Sequence, residues 1–162
     1  MPYTVKTEGM EELTRMLEGL GNAAQGVAAQ GLYEGAGIVA DAVSQAVHGI
    51  ATKRFKYPAP PGKQRMPSPE EKAILENAPK GISKFRKNGL SVSTSVGFAR
   101  SGYGNLNGKT VPVPMIANAI NSGTSFMKKQ PFFRKAVRGA EARAVSTMDA
   151  EMRDRIEKLA NE

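Results

Sequence analysis

Hydrophobic positions recur most regularly toward the C-terminal end of the chain. Phe133, Val137, Ala140, Ala144, Met148, Met152, Ile156 and Leu159 are separated by steps of three and four, the spacing of one face of an α-helix. Arg143, Glu151, Arg153, Asp154, Glu157 and Lys158 fall on the other side, placed for near-neighbour charge pairs. Pro131 stands where this helix should open, because its fixed φ suits a first turn. A second stripe, formed by Ala28, Leu32, Ala36, Val39, Val43, Ala46 and Ile50, predicts a helix over residues 23–49. Gly26, Gly31, Gly35 and Gly37 lie inside it, each costing ~1 kcal/mol of helix propensity relative to Ala. A helix holding four such residues is expected to pack closely, on its own sheet or on another subunit.

Shorter patterns fill the rest. Residues 3–7 alternate as a short strand would, and 10–20 carry Leu13, Met16, Leu17 and Leu20 on one helical face. Residues 51–69 read TKRFKYPAPPGKQRMPSP after Ala51, a long exposed loop by its prolines and lack of periodicity. Ser68-Pro69-Glu70-Glu71 has the form of a helix start, with Ser as N-cap and acids near the positive end of the dipole. That helix should stop near Asn77, ahead of Pro79. Leu90, Val92, Thr94, Val96 and Phe98 alternate with Ser91, Ser93, Ser95 and Gly97, which predicts a strand. Asn88-Gly89 before it suggests a two-residue turn to a partner strand over 82–86. Residues 100–109 read as a Gly-, Asn- and Ser-rich loop, 111–114 as extended, and 115–121 as a short helix halted at Gly123. The order is strand, helices, loop, hairpin, helix. It predicts one α+β domain over residues 1–162, with a small antiparallel sheet and the two long helices packed on it.

Composition narrows what such a domain can do. The 162 residues include no Cys and one His, which excludes disulfides, thiolate zinc sites and cysteine nucleophiles. The N-terminus shows no basic stretch followed by an apolar run, so no secretory signal is expected. Glu34, Asp41, Gln45 and His48 interrupt the most apolar stretch, and no membrane span is expected. The net charge of +8 is uneven: residues 1–52 sum to −4, residues 53–100 to +8 and residues 101–162 to +4. Such polarity suits nucleic acid, or oppositely charged neighbours in an assembly.

Candidate chemistry is sparse. His48 with Ser44 four residues earlier is the only start of a nucleophilic arrangement, and a helix-terminal histidine facing solvent explains it better. Glu70-Glu71 is better explained by the helix dipole than by acid–base work. Gly35-Ala36-Gly37 and Gly102-Tyr103-Gly104 lack the Gly-Lys-Ser/Thr ending of a phosphate loop. No enzyme activity, catalytic residue, cofactor or metal is expected. Lys53, Arg54, Phe55, Lys56 and Tyr57 interleave cations with aromatic rings, and Lys63 and Arg65 follow. These seven are the candidate partner-contact residues. They would suit either an acidic protein neighbour or nucleic acid, by phosphate neutralisation and base stacking. A nucleic-acid-binding accessory protein is therefore the alternative functional reading, although no helix-turn-helix, zinc finger or RNP-type motif is present.

Gly123-Thr124-Ser125, Met127 and Pro131-Phe132 form a phrase that resembles the neck and tail-completion proteins of siphophages. In that family a Gly-Thr-Ser turn, a methionine and a Pro-Phe pair lead into the C-terminal helix. Glu8-Gly9-Met10, a short Leu-rich helix and a long Ala-rich helix occupy the family's order in the first half. The chain departs from the family after the long helix, where the Pro-rich basic loop and residues 68–79 stand. The resemblance implies a structural virion protein of a long-tailed bacteriophage, acting in tail completion or head–tail joining. It implies an oligomeric ring of its own subunits on the tail end, touching the tail tube and head–tail connector proteins. The location implied is the virion, and the host cytoplasm during assembly. Closing a ring requires head-to-tail interfaces, for which loops 51–69 and 100–110 are the candidate contacts.

Overall fold

In the computed structural model, residues 3–4, 22–56, 61–89 and 91–161 are described. The predicted helix over 10–20 lies outside them. The elements run β1 (Tyr3–Thr4), α1 (Asn22–His48), α2 (Pro69–Asn77), β2 (Lys80–Ile82), β3 (Arg86–Asn88), β4 (Ser91–Ser93), β5 (Ser95–Phe98), β6 (Tyr103–Leu106), β7 (Lys109–Pro112), α3 (Val113–Ser122) and α4 (Phe132–Ala160). Among the described residues, four helices with small antiparallel sheets make an α+β fold, as predicted. The strands form a sheet in the order β1-β5-β2 and two hairpins, β3-β4 and β6-β7. Among the described residues, no helix is long and apolar enough to cross a membrane.

The chain divides into two compact units. One comprises residues 41–81 and 98–139, the other residues 2–40, 82–97 and 140–162. Each long helix thus contributes one end to each unit. We call the first the strap unit and the second the helix-pair unit.

In the helix-pair unit, the core gathers Val27 and Leu32 of α1 with Met148 and Met152 of α4. Phe85, Val92, Ile156 and Leu159 pack around them. The predicted α4 stripe is the buried one, and its charged side forms the pairs Asp149–Arg153, Glu151–Arg155 and Asp154–Lys158. Two glycines of α1 are now explained. A β-carbon at Gly31 would lie 2.6 Å from Met152 Cγ, and one at Gly35 would fall on the Met148 side chain and 3.1 Å from the Ala144 carbonyl oxygen. The close packing of this helix at Gly31 and Gly35 is therefore against α4, where the sequence points to the sheet or another subunit. Gly26 and Gly37 face open space.

The hairpin in this unit differs from its predicted form. Arg86 pairs with Ser93 and Asn88 with Ser91, so Asn88 belongs to the strand, whereas the sequence predicts it as the first residue of the turn. Gly89 takes φ +58°. Farther down, Ser83 N–H donates to Ser95 O at 2.8 Å. Between these two points the first strand advances three residues and the second two, a bulge that interrupts the single long strand predicted over 90–98. The bulge region carries Phe85, whose ring lies 6.5 Å from that of Tyr33.

The core of the strap unit is built from Val43, Val47 and Ile50, from Leu75, from Val113, Ile116 and Ile120 of α3, and from Met127 and Phe133. Helix α2 packs on α3 and β6. Gly104 of β6 makes room for Ile74, whose Cδ1 would lie 2.8 Å from a β-carbon there. Two expectations are corrected here. Residues 100–109 are not a loop: β6 and β7 pair with Asn105 opposite Thr110 and Leu106 opposite Lys109. Asn107 (φ 52°) and Gly108 (φ 77°) form their turn, the left-handed pair that a tight hairpin requires. Residues 111–114 are not one extended run either. The chain enters α3 at Val113, with Pro114 in the first turn and Gly123, at φ 77°, as C-cap.

Candidate partner-binding face

The site is assembled from the turn over 123–131 outward. Thr124 Oγ1 accepts from Met127 N–H at 2.9 Å and from Phe126 N–H at 3.3 Å, and Thr124 N–H donates to Met127 O at 3.0 Å. The Thr124 hydroxyl and backbone therefore satisfy part of the turn's own hydrogen bonding. Gly123 is required for space as well as for φ, since a β-carbon would lie 2.9 Å from Lys129 Cβ. Met127 points inward and is 2% exposed. Asn121 Oδ1 then accepts from Phe133 N–H at 3.2 Å and Arg134 N–H at 3.4 Å. These are orphan donors of the first turn of α4. Phe132 and Phe133 meet edge to face, with centroids 6.4 Å apart. Helix α4 thus begins immediately after Pro131.

The basic loop is tied across this turn as a strap. Ala51 N–H donates to Gln130 Oε1 at 3.0 Å, and Gln130 Nε2 returns a bond to Ala51 O at 2.9 Å. Arg65 forms a parallel bridge with Met127, with Arg65 N–H to Phe126 O and Lys128 N–H to Arg65 O both at 2.8 Å. Gln64 Nε2 donates to Thr124 O at 2.8 Å. Where the sequence predicts an exposed loop over 51–69, its last residues are anchored: Pro67 and Ser68 are buried.

Helix α2 begins at the end of the strap. Ser68 Oγ accepts from Glu71 N–H at 3.1 Å, and Glu71 Oε2 accepts from Ser68 N–H at 2.8 Å, a reciprocal capping box. The same Glu71 carboxylate takes both ends of the Arg65 guanidinium, Nη1 to Oε2 and Nη2 to Oε1, each at 2.7 Å. The Arg65 Cζ sits 4.5 Å from the centre of the Phe55 ring. Phe55, Arg65, Glu71 and Ser68 therefore form one stack running from the strap into the helix.

A concavity of about 220 Å³ opens beside that stack. Arg54, Phe55, Ser68, Glu70, Asn105, Leu106 and Asn107 line it, so the strap and the tip of the β6-β7 hairpin share one wall-to-wall surface. Backbone hydrogen bonding at the start of α2 holds the Glu70 carboxyl below its ordinary 4.5. The Ser68 side chain and the Arg54 charge lower it further, against a small opposing effect of burial.

The predicted contact residues separate accordingly. Lys53, Arg54, Lys56 and Lys63 are exposed, whereas Phe55 and Arg65 are partly covered and engaged with each other. Tyr57 lies outside the described residues. Thr124, Met127, Pro131 and Phe132 hold the framework, and Gly123 shapes it. Ser125 and its neighbour Phe126 are exposed. Asn105, Leu106 and Asn107 were foreseen only as part of a loop; the Asn-Gly pair at 107–108 was the available signal. Gln64, Asn121 and Gln130 carried none, because their partners are far away in sequence.

His48 is elsewhere in the same unit. Its Nδ1 lies 3.0 Å from Glu76 Oε1 and its side chain is 68% exposed, and His48 does not line the concavity beside the strap. Among the described residues, no group of three His, Asp or Glu side chains could hold a metal ion. No protein family, curated protein or solved structure matches this chain.

Proposed function

We propose that the protein is a structural component of a long-tailed bacteriophage virion, acting in tail completion or head–tail joining as an oligomeric ring. One observation carries this reading. The Gly123-Thr124-Ser125 turn, which carries the family resemblance, both precedes α4 and clamps the strap across the unit. Those residues hold an exposed surface in shape, and they do not line a cleft. A docking face of this kind loses little conformational freedom on association. Tyr103, Met115 and Phe126 are more than half exposed in the same unit, and aromatic and Met side chains are enriched in protein interfaces.

The test is native mass spectrometry of the purified full chain, with and without Phe126→Ser and Leu106→Asp. A closed ring in the parent, and monomers in a variant that still folds, is the expected result. A parent that stays monomeric at ~100 μM, far above the Kd of ordinary assemblies, together with virions that assemble normally without the gene, would falsify the proposal.

A further inference from the structure

Charge divides between the two units. The strap unit carries fourteen basic and four acidic side chains, a net +10, and the helix-pair unit nine basic and eleven acidic, a net −2. In the strap unit, Arg65 is paired with Glu71 and Lys72 with Glu76, and Lys80 Nζ donates to the carbonyls of Leu75, Glu76 and Ala78. The other eleven cations are exposed, and none forms an ion pair with a described residue.

The strap gathers part of this surplus. Lys53 stands two residues from the Ala51–Gln130 pair, Lys63 is next to Gln64, Lys128 itself donates to Arg65 O, and Lys129 precedes Gln130. Each of these four lysines is therefore within two residues of a hydrogen bond joining strap to turn. Arg134, Lys135 and Arg138 continue the cationic run along the exposed side of α4.

From this juxtaposition we infer that the strap–turn surface binds the phosphodiester backbone of duplex nucleic acid. Two observations select that partner over an acidic protein. Seven of the eleven free cations are lysines, and lysine is depleted in protein–protein interfaces, where immobilising its long side chain is unfavourable. The cations also come from separate chain segments, among them residues 53–63, 128–129 and 134–138, and do not ring one pocket. That suits phosphates, which need positive charge along a path and no shape-matched pocket. The surface reads no bases: Phe55, the one described aromatic ring among the predicted contacts, is covered by Arg65. The inference does not depend on ring formation.

Fluorescence anisotropy of the full chain with labelled duplexes of two unrelated sequences, across ~50 to ~250 mM salt, tests it. Both duplexes should bind equally, with log K falling linearly in log salt. Replacing Lys53, Lys63, Lys128 and Lys129 together by Gln should weaken binding at least about tenfold near ~100 mM salt and flatten the slope by about three to four. Changing Lys84, Arg86 and Lys87 of the helix-pair unit to Gln should leave both quantities alone. Thermal melts confirm that the variants fold. No binding at ~50 mM salt, an unchanged slope in the quadruple variant, or tighter binding to polyglutamate than to DNA would overturn the inference, whatever the oligomeric state measured separately.

Discussion

In the helix-pair unit, charges answer one another along a single helix. Asp149, Glu151 and Asp154 each face a cation four residues on, in pairs whose members are mostly exposed. In the strap unit the one ion pair of note is turned inward, with Arg65 and Glu71 side chains only 17% and 7% exposed, while most of the other cations form no ion pair with a described residue. Exposed pairs on one helix form locally and contribute little. The covered pair joins the strap to α2 and also completes a helix cap, so its removal strands a partly buried charge. The comparison teaches that ion pairs at similar distances do different work according to what surrounds them.

The largest effect expected from breaking this comparison lies in the cores. Leu75→Ala in the strap unit and Met152→Ala in the helix-pair unit remove fully buried side chains, and each should cost about 2–5 kcal/mol in chemical denaturation. Hydrogen exchange should show protection falling first in the unit that carries the substitution. Next comes the ion-pair contrast itself. Glu71→Gln should cost about 3 kcal/mol by losing both the guanidinium partner and part of the cap, whereas Asp149→Asn should change stability by under about 0.5 kcal/mol. Equal losses in the two variants would erase the distinction between the units. Ser68→Ala, which removes only the capping hydroxyl, should cost about 1 kcal/mol.

The smallest effect is a dependence on pH. The Glu70 carboxyl is depressed in the folded chain, so the unfolded state binds a proton first as pH falls. Its contribution is present above the ordinary value of 4.5 and disappears as pH drops through the lowered folded value. Glu70→Gln should therefore be slightly less stable than the parent at neutral pH and converge with it in strong acid. A variant whose deficit grows on acidification would contradict that sign.

How much of this was legible in the sequence depended on the range of the interactions. The α4 stripe, the Ser68 cap and the stop at Gly123 rest on neighbours within a few residues, and the structure reproduces them. The β6-β7 hairpin offered the same Asn-Gly signal as the first hairpin, yet short strands reading Tyr-Gly-Asn-Leu and Lys-Thr-Val-Pro lack apolar alternation and resembled a loop. At the first hairpin, Asn88 pairs with Ser91 within the strand and does not open the turn, a register that periodicity alone does not encode. The strap was illegible for a different reason. Its bonds join Ala51 to Gln130 and Gln64 to Thr124, 79 and 60 residues apart, and an amide side chain gives no hint of which distant backbone it will meet. The concavity, made where strap meets hairpin tip, inherits that obscurity.

The seating of Met148 and Met152 against Gly35 and Gly31 also gives the molecule an internal clock. Both thioethers are almost wholly covered, at 3% and 0%, while Met115 is 63% exposed. Peroxide converts an accessible thioether to a polar sulfoxide, which cannot fit a space shaped for a methylene chain. Met115 should oxidise at the rate of a free amino acid, and the seated pair only as often as the two helices part. Reading the three sites in one digest would time that parting without any label.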